Sequence, residues 1–173
     1  MSTKIAIITG ASRGLGKSTA LHLARQGIDI IGTYRSREDE ARSVVAEIEA
    51  LGGKAKMLQL DVGHSSGFET FATQVSALLT AHFKAERFDY LVNNAGITHR
   101  SLAGHTDPAV FKKVMAIDWQ APVSLSMALL PLLRRSRGSI INIGSMAGWM
   151  PVLGRAAYCS AKSALSQFFE VLR

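Results

Sequence analysis

Tyr158 and Lys162 stand four residues apart, and on a helix that spacing puts both on one face. A free phenol gives up its proton only near pH ~10, so it needs help to act at neutral pH. A neighbouring ammonium stabilises the phenolate, which makes Tyr158 a candidate general acid/base with Lys162 beside it. Ser145 stands thirteen positions earlier, and its hydroxyl can hydrogen-bond a substrate carbonyl. Each feature alone has a plainer reading: helices are full of such spaced pairs, and a loop serine commonly forms a turn.

A second kind of chemistry is written into Thr9-Gly10-Ala11-Ser12-Arg13-Gly14-Leu15-Gly16. Glycines permit a tight turn and the close approach of backbone to a pyrophosphate, and a helix N-terminus offers unpaired N–H groups to phosphates. Three residues separate the first two glycines, so the spacing is not GxGxxG. A site for NAD(H) places an acid after the second strand to hold the ribose hydroxyl. This chain has Thr33-Tyr34-Arg35 there, with Arg37 behind it and Arg13 in the glycine turn. Guanidinium groups grip a 2′-phosphate that an acid would repel, so NADP(H) is favoured over NAD(H).

The elements that must position these groups alternate along the chain. Strands are expected at Ile5–Thr9, Ile28–Thr33, Ala55–Leu60, Phe88–Val92 and Gly138–Ile143. Helical periodicity covers Leu15–Gln26, Glu38–Leu51, Gly67–Phe83, a long run from Pro108 to Leu133, and a last helix from Arg155 to the C-terminus. Asp107-Pro108 opens the long helix as a cap followed by proline at the first helical position. Such alternation implies an α/β, Rossmann-like, doubly wound parallel sheet with helices on both faces, in one domain. Ligands of such sheets sit at the carboxyl ends of the strands, where every motif above falls.

Composition excludes several classes. Of 173 residues, 47% are hydrophobic and 19% charged, too apolar for a disordered chain. The single cysteine, Cys159, rules out an internal disulfide framework. No apolar run approaches the ~18 residues of a membrane span, and Ile5–Ile8 is too short for a signal peptide, so a cytoplasmic protein with no membrane partner is expected. The net charge of +7 gathers densely only at Arg134-Arg135-Ser136-Arg137, which reads as a solvated helix end rather than a nucleic-acid surface. The five histidines show no metal-ligand grouping. Met146, Trp149 and Met150 after Ser145 suit an apolar pocket or ordinary packing equally.

Together, the glycine turn, Asp61-Val62 after the third strand, Asn93-Asn94-Ala95-Gly96 after the fourth, Ser145 and Tyr158-x-x-x-Lys162 closely resemble the single-domain short-chain dehydrogenase/reductase family, in its order and spacing. The likeness to its NADP(H)-preferring members, such as 3-oxoacyl-[acyl-carrier-protein] reductases, implies an oxidoreductase interconverting a small-molecule carbonyl and an alcohol. It implies that Tyr158 exchanges the proton, Ser145 polarises the carbonyl, and Lys162 tunes Tyr158 and holds the nicotinamide ribose. Gly10, Ser12, Arg13, Gly14, Leu15, Gly16 and Arg35 would bind the cofactor, with Tyr158 and Lys162 also contacting it; Asp61 and Val62 would meet its adenine, and Asn93, Ala95 and Gly96 would line its cleft. A homodimer or homotetramer through the last two long helices is also implied.

Two features depart from the family. Asp118 stands where an asparagine usually supplies a main-chain carbonyl to a proton relay. Pro122, four residues on, lacks an N–H and would free that carbonyl, so the relay is expected to be impaired rather than lost, with the carboxylate acting on Lys162. The chain also stops at Arg173, before the strands and substrate-covering segment expected of the family, which would leave the fifth strand an edge and this polypeptide alone a poor catalyst. These departures favour one alternative, a non-catalytic NADP-binding or scaffold protein. A different nucleotide-binding sheet would leave Ser145, Tyr158 and Lys162 unexplained.

Overall fold

The computed structural model describes residues 3–102 and 104–171; the stop at Arg173 lies outside the described residues. Five parallel strands, β1 (Ile5–Ile8), β2 (Asp29–Tyr34), β3 (Ala55–Gln59), β4 (Tyr90–Asn93) and β5 (Ser139–Asn142), pair in the order β3-β2-β1-β4-β5. The chain winds outward from β1 through β2 and β3, then returns to the other side of β1 with β4 and β5. The order reverses between β1 and β4, and this opens a crevice at their carboxyl ends.

Strand polarity follows from how many faces are covered. All four residues of β1 are buried, as an apolar run sandwiched between helix layers requires. Ile5 and Ile7 face a cluster with Phe68, Phe71, Val75, Leu125 and Leu129, whereas Ala6 and Ile8 face Ala20, Ala24, Val44 and Ile48. The first set comes from α3 (Phe68–Leu78) and α5 (Ala121–Arg134), the second from α1 (Gly14–Arg25) and α2 (Glu38–Ala50). At the sheet's margin β5 alternates exposed and half-buried positions and leaves Ile141 open to solvent.

The long helical stretches are more segmented than their periodicity suggests. The stretch expected at Gly67–Phe83 begins with a 3₁₀ turn, Ser65–Gly67, continues as α3 and ends in a π-helical turn, Leu79–Phe83. The stretch from Pro108 is α4 (Pro108–Met115), a π-helical turn (Ala116–Gln120) and α5. Asp107 caps α4 by accepting the N–H of Ala109 at 2.8 Å. In the π turn the N–H of Ala121 reaches back to the carbonyl of Ala116, just before Pro122, which has no N–H to offer. One expectation is corrected here: Pro108–Arg134, 27 residues, is long and apolar enough by length and composition to cross a membrane. In this fold Leu125, Leu129, Leu132 and Leu133 of that helix fill the core.

The last helix, α6 (Ala156–Val171), packs small residues, Ala157 and Ala161, against Val114 of α4. Phe71 and Phe88 are the bulkiest fully enclosed side chains in the cluster on the α3 face, and Phe71 belongs to α3 itself. Truncating Phe71 to alanine leaves a cavity under β1 and should cost about 3–5 kcal/mol in urea unfolding; a loss under ~1 kcal/mol would show that the α3 layer does not carry the sheet.

Candidate active site

The glycine turn is shaped by what lies behind it. Gly10 adopts φ +67°, and its N–H donates to Thr33 Oγ1 at 3.1 Å. A Cβ at Gly16 would run into the Gly10 carbonyl and Asn94 Nδ2, so α1 can abut the turn only through a glycine. Thr9 Oγ1 accepts the N–H groups of Asn94 and Ala95, both at 2.9 Å. In return Asn94 Nδ2 donates to the carbonyls of Thr9 at 2.8 Å and Gly10 at 3.2 Å. These bonds knit the ends of β1 and β4 together. The start of α1 carries no acid in its first turn and no side-chain cap, so its N-terminal N–H groups stay available.

A cavity of about 520 Å³ opens beside this turn. Gly10, Ser12, Arg13, Gly14, Arg35, Asp61, Val62, Ala95 and Gly96 line it, together with Thr33, Tyr34, Ser36, Arg37, Asn94, Ile97 and Ile117. Arg37 is held by Glu40 at 2.7 Å. The Arg13 and Arg35 guanidiniums make no side-chain hydrogen bond or ion pair among the described residues.

Leu15, Gly16 and Asn93, expected at the cofactor, lie outside this cavity's lining, as Tyr158 and Lys162 do. Leu15 is 69% exposed and outside the lining, because the first turn of α1 points it to solvent. Gly16 lies behind the turn rather than in the cavity. Asn93 is buried, and its Nδ2 donates to Ser126 Oγ at 3.1 Å and Asn142 Oδ1 at 2.8 Å, so it ties β4 to α5 and β5. Its neighbour Asn94 does the work at the crevice. The Asn93-Asn94 pair was visible in the sequence, but which of the two faces the turn was not.

Ser145, Tyr158 and Lys162 lie outside the cavity's lining. Lys162 is only 5% exposed, and its Nζ donates to the Ile143 carbonyl at 2.8 Å and sits 5.7 Å from the centre of the Tyr158 ring. Ile143 follows β5, and two residues later Ser145 Oγ accepts the N–H of Ala147 at 3.1 Å. That bond caps a 3₁₀ turn, Met146–Gly148, and leaves the hydroxyl proton free to be donated. The turn docks on α6: Ser163 Oγ donates to the Gly148 carbonyl at 2.7 Å, and a Cβ at Gly148 would press on Lys162. One helix therefore holds Tyr158, Lys162 and the loop of Ser145.

Asp118 joins the two halves of the site. It is fully buried in the π turn, where both carboxylate oxygens accept the N–H of Ile97, at 3.1 and 3.3 Å. Its Oδ1 lies 3.6 Å from Lys162 Nζ. A Cβ at Gly96 would come within 2.6 Å of that oxygen, so the glycine makes room for the carboxylate. Burial pushes the Asp118 carboxyl above its ordinary value, opposed by the Ile97 N–H and by Lys162. Burial likewise pushes the Lys162 amine down, opposed by Asp118.

Comparison with known proteins gives this geometry its context. A family model described as short chain dehydrogenase matches residues 4–173. The 3-oxoacyl-[acyl-carrier-protein] reductase of Synechocystis sp. is 37% identical, over 99% of this chain and 68% of its own. Estradiol 17-beta-dehydrogenase 2 of Mus musculus is 30% identical, over 98% of this chain and 43% of its own. A metagenomic short-chain oxidoreductase crystallised in complex with NADP superposes with a TM-score of 0.88 at 37% identity, over 98% of this chain and 74% of that one. The chain thus spans about two thirds of the first relative and less than half of the second.

The buried pair makes a signed prediction. Lys162→Met leaves Asp118 with the Ile97 N–H alone, and the folded state then holds the carboxyl proton more tightly than the unfolded chain does. The native state binds more protons, so stability falls as pH rises above the ordinary carboxylate value, by at most ~1.4 kcal/mol per pH unit. Urea unfolding between pH ~4 and ~7 should show a steeper fall than in the unmodified chain; parallel curves would mean that Asp118 does not depend on Lys162.

Proposed function

This chain belongs to the short chain dehydrogenase family, and from that premise we propose that it interconverts a carbonyl and an alcohol by hydride transfer with NADP(H). The observation that carries this reading is the Lys162 amine lodged beside the Tyr158 ring, on the helix that also holds the Ser145 loop. The residues at the crevice fit the dinucleotide. Two guanidiniums without partners among the described residues flank a cavity whose glycine turn leads into a bare helix N-terminus.

In this reading Arg13 and Arg35 grip the 2′-phosphate, and the first N–H groups of α1 take the pyrophosphate. Asp61 and Val62 border the adenine, and Ala95 and Gly96 the cleft beyond it. When bound, the reduced nicotinamide supplies a hydride to the carbonyl carbon. Ser145 donates its free hydroxyl proton as a hydrogen bond to the carbonyl oxygen and so polarises it. Tyr158 gives a proton to that oxygen as the alcohol forms, and Lys162 offsets the charge left on the phenolate. Oxidation runs the same steps backwards. Met146, Trp149 and Met150 stand exposed beside Ser145, which supports a substrate whose carbonyl is carried on an apolar body.

Two variants test separate parts. Arg35→Glu should weaken NADPH binding about 10–100-fold, measured by cofactor fluorescence, and leave NADH binding unchanged; equal losses for both would remove the phosphate role. Tyr158→Phe should bind NADPH normally yet abolish single-turnover oxidation of bound NADPH by ketones or 3-oxoacyl thioesters. Measurable oxidation at equal rates in the variant and the unmodified chain would reject the proposed proton donor, and no oxidation in the unmodified chain would reject the reaction itself for this polypeptide.

A further inference from the structure

We infer that Asp118 is a positioning residue that keeps the Lys162 amine charged in a buried site and fixes it to the cofactor-side loop, extending the alkaline range of the catalytic group. The inference rests on the proposed role of Lys162 beside Tyr158 and concerns what maintains that role.

Three observations carry it. Lys162 is almost wholly enclosed, and an enclosed ammonium bonded to an uncharged carbonyl sheds its proton more readily than a solvated one. Asp118 Oδ1, 3.6 Å away, is the counter-charge. The elements packed against α6 are α4, the π turn and the Met146–Gly148 turn. Of these, α4 presents Lys112 and Lys113, both exposed, and the Met146–Gly148 turn presents no titratable group. The π turn contributes Asp118, and α6 itself contributes Tyr158. Among the described residues Asp118 is thus the group that opposes loss of the proton, and this agrees with the direction in which it moves the amine.

An asparagine would keep one acceptor for the other half of the contact. Its amide oxygen accepts the Ile97 N–H as a carboxylate does, and it needs no more room than Gly96 already leaves. What the amide lacks is charge. The aspartate therefore leaves the geometry of the Gly96-Ile97 loop alone and changes the protonation of the amine. In the working enzyme this holds Lys162 cationic to higher pH, so the alkaline limit of turnover lies higher than it would with asparagine.

The test reads Lys162 directly and needs no turnover, so it stands apart from whether the chain reduces carbonyls. The side-chain ¹³Cε resonance of Lys162, assigned by its loss in Lys162→Arg, is titrated by NMR in the intact chain and in Asp118→Asn. The midpoint should fall by at least one pH unit in the variant, a tenfold change in acid dissociation. An unchanged or raised midpoint would overturn the inference. Should Asp118→Asn not fold, Asp118→Ser removes the same charge with less bulk and is read by the same criterion.

Discussion

Opening a crevice between two adjacent strands strips backbone groups of their ladder partners, and the whole site depends on how those groups are satisfied without filling the gap. A buried polar group left unpaired costs about 1–3 kcal/mol. Thr9 and Asn94 meet this demand reciprocally: one hydroxyl accepts two N–H groups from the β4 side, and one amide serves two carbonyls on the β1 side. Both side chains turn inward along the strand ends. The glycines can then bring bare backbone to the cavity wall, and α1 can start against the turn.

The second half of the site is held by charge as much as by packing. The apolar cluster under α6 is small, with Val114, Ala157 and Ala161 as its buried members. Against so little buried area, the polar ties of Ser163 to Gly148, Lys162 to Ile143 and Asp118 to Lys162 set where the helix lies. A buried ion pair adds little net stability, because taking both charges out of water offsets their attraction. Its use here is placement: one carboxylate spans the gap between the loop after β4 and α6.

Much of this was legible in residue order. Strand positions followed from short β-branched runs, and the parallel alternation from the helical stretches between them. The cap at Asp107 was readable because proline at the next position marks a helix start. The π turns were not legible, since widening a helix by one residue barely disturbs its apolar period. Arg37 looked like Arg13 and Arg35, yet Glu40 lies one helical turn away and captures it. Asn94 was given no role of its own, yet its amide bonds the β1 end while that of Asn93 bonds Ser126 and Asn142; neighbouring residues at a strand end face opposite ways, and nothing in the letters says which way is inward. Asp118 was visible as an unusual residue type. Its partners, Ile97 and Lys162, come from distant segments and are joined only by the fold.

The double duty of Lys162 bears on how its chemistry can be measured at all. The same amine holds the end of β5 through Ile143, balances a buried carboxylate and stands beside Tyr158. Replacing it therefore removes a structural anchor and leaves an uncompensated charge, and each of these would lower a reaction rate with no change in the chemical step. A rate alone sums the three effects. Proton affinity does not, because only the electrostatic role moves a titration midpoint while leaving the fold in place. The division between anchor and charge at this site is thus a question about protons, and Asp118, which meets the amine through its own oxygen while Ile143 meets it through a carbonyl, is the lever that separates the two.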